Sequence, residues 1–217
     1  MDTSKKPKGN LRTGFTTGTC ATASSKAAIL AMVNQKSIDK VDVLLPKRDK
    51  INIQIKNCKF SKNTAICSVI KDGGDDPDVT HGAEIIVELT LTDNIGIIEI
   101  DGGDGVGRVT KPGLGLDIDS AAINPTPKKM ILENVQEVGG EILKQNGIKI
   151  IISVPKGKEI AVKTDNPRLG IMGGISILGT SGIVIPYSTA SFAAAIRQQV
   201  DVVRSMNDDV VFLTTGG

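Results

Sequence analysis

The stretch Ile148-Lys-Ile-Ile-Ile-Ser-Val154 decides the fold. It is short, nearly all apolar and β-branched, which reads as a strand buried on both faces and therefore as part of a mixed or partly parallel sheet. Upstream, Ile38–Leu45, Lys50–Lys56, Ala65–Ile70 and Ala83–Thr92 are β-branched runs with partial alternation, separated by Pro, Asn and Gly. With the short run Ile95–Ile100 they predict a sheet of about four or five strands. Helices flank them. Thr19–Gln35 is alanine-rich and free of Gly and Pro, with Thr19 placed to cap it. A second helix is expected from a Thr126 cap and Pro127 toward Val138, where Gly139 and Gly140 interrupt or end it.

Downstream, Phe192, Ile196, Val200 and Val203 share one helical face after Ser188, and Val210–Leu213 reads as a strand running into Thr214-Thr-Gly-Gly217. A strand entering a Gly-rich turn ordinarily delivers the chain to a helix whose N–H groups bind an anion or cofactor. The expectation is therefore an α+β fold in two parts. Residues 1–187 form a mixed-sheet domain with helices and Gly-rich ligand loops, and residues 188–217 supply the first helix and strand of a smaller, truncated α/β domain.

Bulk properties narrow the function. A chain of 217 residues buries roughly 70% of its unfolded surface, enough for a real core. No run approaches the ~18 apolar residues of a membrane span, so no membrane partner is expected. The segment Met1–Asn10 carries three lysines and no apolar core, unlike a secretory signal. Cys20, Cys58 and Cys67 form no C-x-x-C pair and their odd number gives no disulfide framework, which suits a reducing cytoplasm. A net charge of +2, with four Phe, one Tyr and no Trp, offers neither the charge nor the stacking platforms of a nucleic-acid binder. The unusual feature is 24 clustered glycines, which point to turns where backbone approaches something closely.

Four segments could carry chemistry. In Thr13-Gly-Phe-Thr-Thr-Gly-Thr19, hydroxyls and free N–H groups converge at a helix start, where a carboxylate or phosphate would sit well; a Thr-rich cap with no ligand fits equally. Asp72-Gly-Gly-Asp-Asp-Pro-Asp-Val-Thr-His-Gly82 packs four carboxylates and the only histidine into eleven residues. It reads as a metal loop lacking EF-hand spacing, a general-base cluster or a solvated turn. His81 has no Cys/His set around it to make a zinc site, and no bound metal is expected. Asp101-Gly-Gly-Asp-Gly-Val-Gly107 shares glycines with dinucleotide fingerprints, but the Pro-broken Arg108-Val-Thr-Lys-Pro-Gly113 follows where a helix should. The loop Lys111–Pro127 is long enough to be functional or partly ordered. Last, Asn166–Val184 interrupts strand-formers with five glycines, while Arg168 offers a two-pronged carboxylate donor and Thr180-Ser181-Gly182 a small polar cradle.

Taken in order, L-R-T-G-F-T-T-G-T-C-A from Leu11, G-D-D-P-D-V-T-H-G from Gly74, G-G-D-G-V-G-R-V-T-K-P-G-L from Gly102 with A-I-N-P from Ala122, and N-P-R-L-G-I-M-G-G-I-S-I-L-G-T-S-G-I-V from Asn166 resemble the CbiD family over almost the whole chain. The terminal T-T-G-G also matches, at a point where family members continue into a C-terminal domain. Gly115–Ser120, reading G-L-D-I-D-S, departs from the more Pro- and Val-rich segment expected there. The resemblance implies a cytoplasmic enzyme that transfers a methyl group from S-adenosylmethionine to C-1 of cobalt-precorrin-5B, giving cobalt-precorrin-6A in anaerobic cobalamin biosynthesis, without a Rossmann methyltransferase fold. Its partner is a cobalt-containing tetrapyrrole rich in carboxylates. On this reading Asp76, Asp78, His81 and Asp104 are catalytic candidates. Asp75, Thr180, Ser181, Gly182, Thr215 and Gly216 are cofactor-binding candidates. Thr16, Thr17, Gly18, Thr19, Gly103, Gly105, Arg108 and Arg168 are substrate-binding candidates, with Arg12 and Lys111 as further carboxylate donors. A metal-dependent phosphoryl-transfer enzyme using Asp75, Asp76 and Asp78, and a non-catalytic corrinoid carrier, remain alternatives.

Overall fold

The computed structural model describes residues 9–207 and 210–212. In chain order the elements are β1 (Gly14–Phe15), α1 (Thr17–Asn34), β2 (Lys40–Leu44), β3 (Lys50–Gln54), β4 (Asn57–Phe60), β5 (Thr64–Ile70), β6 (Glu84–Thr92), β7 (Ile98–Gly102), β8 (Gly105–Val106) and β9 (Arg108–Val109). They continue with α2 (Pro125–Leu143), β10 (Gly147–Ser153), α3 (Gly157–Ala161), β11 (Ile171–Met172), β12 (Gly174–Ile175), β13 (Ile183–Val184) and α4 (Thr189–Ser205). The fold is α+β, with a mixed sheet at its centre. None of the described helices is long and apolar enough to cross a membrane.

The main sheet has the order β4-β5-β6-β10-β7, antiparallel except that β10 runs parallel to β7. Strand β10 lies inside the sheet, between β6 and β7, but it is buried on one face rather than two. Ile148, Ile150 and Ile152 are fully buried, whereas Lys149 is exposed and Ile151 partly so. The period-2 alternation thus sends its charged residue outward, although a run of isoleucines masks it in the sequence. The same inner face takes Ile85, Val87 and Leu89 from β6 and Ala65, Cys67 and Val69 from β5. Strands β2 and β3 form a separate hairpin, and β4 is an edge strand without the β-branched residues that mark the others in the sequence.

Helix α1 lies against β5, β6 and α2, with every residue from Thr17 to Ile29 buried. Such a helix is small-sided all round rather than amphipathic, because it must fit between layers. It is capped earlier than expected: Thr16, not Thr19, is the N-cap, its Oγ1 accepting from Thr19 N at 3.2 Å. Helix α2 likewise begins early, at Pro125 after Asn124, and runs through Gly139-Gly140 to Leu143. Gly139 serves contact there rather than termination. A Cβ on it would stand 2.9 Å from Ile29 Cγ1, so the missing side chain lets α2 close on α1. Asn134 ties this layer to β2 by accepting from Leu44 N and donating to Leu44 O. Beside it, buried Lys26 donates to Asp42 O and to Glu137.

Helix α4 is capped by Ser188, whose hydroxyl accepts from Ser191 N, and its buried residue is Val202. Val202 joins Val109, Ala122, Leu169 and Ile171 in a second small core, while Phe192 on the expected apolar face is 70% exposed. Val210, Val211 and Phe212 are exposed and form no strand, since no edge among the described residues pairs with them. Leu213 and the run Thr214–Gly217, including Thr215 and Gly216, lie outside the described residues.

A clasp that gathers four motifs

Residues 166–187 gather the other motif segments, acting as a clasp. Strand β13 pairs with β1, β12 with β8 and β11 with β9, and Ile177 bridges to Ile123. Each pairing spans two residues, so backbone fit and side-chain bonds rather than long ladders hold this region. Gly105 shows why glycine is needed. Its φ is +73°, and a Cβ would overlap the Val154 carbonyl and crowd Gly157, which itself sits against the Gly105 carbonyl as Gly174 does. Gly14 packs against Gly73 and Gly74 in the same way. Much of the glycine clustering thus lets the chain approach itself, not a ligand.

The start of α1 is turned into this clasp. Thr17 Oγ1 donates to Ser176 O and accepts from Leu178 N, Thr19 Oγ1 donates to Gly182 O at 2.7 Å, and Gly18 N donates to Leu178 O. Thr16, Thr17, Gly18 and Thr19 are all buried, and residues 176–182 cover the start of the helix, where the sequence allowed either an anion or a Thr-rich cap with no ligand. Cys20 follows in the same turn, where burial pushes its thiol up to about 12, against the lowering usual at a helix start.

The acidic segment is the excursion between β5 and β6, closed by Lys71 N to Ala83 O and Gly82 N to Lys71 O. Its carboxylates are individually partnered. The Arg12 guanidinium, with help from Gly74 N, holds Asp72 down at about 2. Asp75 accepts from Arg12 N, and Asp76 Oδ1 accepts from Tyr187 N at 2.9 Å. Tyr187 has φ +55°, so Asp76 bonds a left-handed turn residue directly before Ser188, the α4 cap. Asp78 Oδ2 meets the ammonium of Lys71, a side chain 2% exposed, and Oδ1 accepts from Thr80. Burial acts to raise Asp78, but the Lys71 charge and the Lys71 and Thr80 bonds outweigh it and hold the carboxyl below its ordinary value. A carboxylate so depressed is a weak proton acceptor. Gly73 N donates to His81 Nδ1 at 3.0 Å, leaving the imidazole's other edge outward.

Asp104, at the rim of the Gly-rich segment, is exposed and paired with Lys158 at 2.6 Å. Gly103 donates to Ile152 O, and Gly105 lies inside the packing just described. Arg108 is spent at home, its guanidinium forking both oxygens of Asp101 at 2.8 and 3.0 Å and donating to Gly102 O. Arg168 is 79% exposed, with Asp165 at 3.8 Å, and borders an open hollow of ≈ 390 Å³ lined also by Val162, Lys163, Thr164 and Pro167. Lys111 lies over Gly170 and reaches Arg168 O. Thr180 is exposed, Gly182 is buried, and Ser181 folds back on Ile183.

The predicted residues therefore fall into two sets. Thr16, Thr17, Thr19, Asp78 and Arg108 are committed to the protein itself, whereas Asp75, His81, Asp104, Arg168 and Thr180 present polar groups to the surface. Lys71, Lys158 and Tyr187, which lie outside the quoted motifs, complete the arrangement together with Asp72 and Asn166 from within them. Asn166 ties the clasp together, donating to Gly174 O and accepting from Ser176 Oγ. A lysine directly after a β-branched run and before an acidic turn was the available signal for Lys71.

Comparison with known proteins agrees with this arrangement of motifs. A family model described as CbiD matches residues 3–186. A Cobalt-precorrin-5B C(1)-methyltransferase from Priestia megaterium is 50% identical over 213 residues, 98% of this chain and 58% of the relative. One from Picrophilus torridus is 50% identical over 205 residues, 94% of this chain and 60% of the relative. The crystal structure of a cobalamin biosynthesis protein (cbiD) from Archaeoglobus fulgidus matches with a TM-score of 0.61 and 35% identity, over 88% of this chain and 60% of that one. The chain thus spans less than two thirds of the length of these relatives, and within that span it belongs to the CbiD family.

Proposed function

We propose that this chain takes part in the S-adenosylmethionine-dependent methylation of C-1 of cobalt-precorrin-5B, as a cytoplasmic enzyme or the larger part of one. The observation that carries the reading is the 50% identity, along nearly the whole chain, to relatives named for that reaction. A sulfonium supplies an already activated methyl group, so alignment of donor and acceptor, worth about 7–11 kcal/mol, is the main demand on the protein. The residues present suit that demand. Asp75 sits at the surface with a carboxylate that can face a cation, in a chain with few aromatics to do so. Arg168, exposed and only loosely paired with Asp165, can turn to fork a substrate carboxylate, each such charge-assisted bond contributing roughly 1.5–3 kcal/mol. Asp104 and His81 are the outward groups able to exchange a proton, while Asp76 holds the turn at Tyr187.

The test is anaerobic incubation with methyl-labelled S-adenosylmethionine and cobalt-precorrin-5B, alone and with the remaining part of the Priestia megaterium relative supplied as a separate polypeptide. Label at C-1 in either mixture is expected. Its absence from both would overturn the proposal.

A further inference from the structure

Cys58 and Cys67 are register partners in the antiparallel pair β4–β5, and their sulfurs lie 2.9 Å apart as free thiols. Directly opposed residues of an antiparallel ladder hold their Cα atoms about 4.5 or 5.5 Å apart, depending on pair type. Both distances fall inside the roughly 4.4–6.8 Å window that a disulfide spans, so neither case requires backbone movement. The two thiols differ in access. Cys67 is buried within the main core, while Cys58 is half-buried on β4, the edge of the sheet. Cys20, the third thiol, is fully buried elsewhere, beside Lys71 and the acidic turn.

We propose that Cys58 and Cys67 are an oxidative modification site at which a low-molecular-weight disulfide forms a cross-strand bond locking β4 onto β5. The half-exposed Cys58 thiolate attacks one sulfur of the small disulfide RS–SR, making Cys58–S–SR and releasing RS⁻. The Cys67 thiolate then attacks Cys58 Sγ, forms the Cys58–Cys67 bond and expels the second RS⁻. The two cysteine protons end on the two released thiolates, so the protein loses two electrons and the small disulfide becomes two thiols. Burial, and then the contact with Cys58, push the Cys67 thiol up, which slows the second displacement, while the 2.9 Å separation of the sulfurs favours it.

The experiment uses the intact chain with excess oxidised glutathione, followed by denaturing thiol titration, peptide mass spectrometry and thermal melting. Titratable thiols should fall from three to one, with one linked peptide pair containing Cys58 and Cys67. Tm should rise by about 5 °C and return on reduction with dithiothreitol. In Cys67→Ser the reaction should stop at a glutathione adduct on Cys58, and in Cys58→Ser residue 67 should remain unmodified. A thiol count that stays at three, a bond to Cys20, or a bond between two chains would each overturn the proposal.

Discussion

In α1, α2 and the five-stranded sheet, neighbouring elements meet through side chains: Ile85, Val87, Leu89, Ile148, Ile150 and Ile152 cover one face of the sheet. In the clasp the same chain meets itself through backbone, with glycines facing carbonyls and threonine hydroxyls reaching across strands of two residues. A side-chain interface tolerates exchange of one apolar residue for another of similar volume. A backbone interface has no such slack, because the smallest addition, one methyl group, has nowhere to go. The largest expected effect follows from that contrast. Gly105→Ala should cost about 4 kcal/mol, combining a left-handed φ with overlap against Val154, and should be read as a fall in the chemical denaturation midpoint.

Next comes the buried ion pair at the base of the acidic turn. Asp78→Asn should cost about 3 kcal/mol, because it leaves the Lys71 ammonium buried without a counter-charge. The pH dependence has a definite sign. The folded-state value of Asp78 lies below 3.8, so its contribution is fully present above that pH and is lost as pH falls through the lower folded value. Melting curves across the acid range should show that loss in the natural protein and a weaker one in the variant. A melting profile unchanged by the substitution would remove the pair from the account of stability.

Thr19→Val keeps the shape of a fully buried side chain but deprives Gly182 O of its 2.7 Å donor, and should cost about 1–2 kcal/mol. The loss should appear as faster amide exchange in β1 and β13, with the main sheet unaffected. The smallest effect sharpens the comparison from the other side. Gly140→Ala, in α2 with open space around it, should stabilise the protein by up to about 1 kcal/mol, since here glycine costs helix propensity without relieving a clash.

Periodicity made the layered half legible. The strands β2, β3, β5, β6, β7 and β10 and the helices α1 and α2 were visible from β-branched runs and alanine content, with errors at the ends where capping decides: Thr16 in place of Thr19, Asn124 in place of Thr126. Gly139-Gly140 misled because a glycine that admits a neighbouring helix looks, in sequence, like one that ends its own. The candidate site was less legible for a related reason. Threonines at a helix start and glycines in a turn serve an anion or a second strand equally well, and nothing in the sequence announces that residues 176–182 bond Thr17 and Thr19. Arg108 was readable as a free donor because its partner, Asp101, is placed opposite it by β7 and β9. Segments that read in sequence as separate ligand loops are, in large part, one another's neighbours.

The bond from Thr19 to Gly182 joins residues 163 positions apart. During synthesis, which proceeds at about 5–20 residues per second, the threonines of α1 are made early and wait on the order of ten seconds for their acceptors. Until residues 176–184 leave the ribosome, the first turn of α1 has hydroxyls and N–H groups that only water can satisfy. Contacts so distant in sequence also carry a large loop-closure cost, which places the clasp among the last regions to settle. A nascent chain stalled before residue 176 would thus hold a nearly complete sheet beside an unsealed helix end, a species that a chaperone can distinguish from the finished protein.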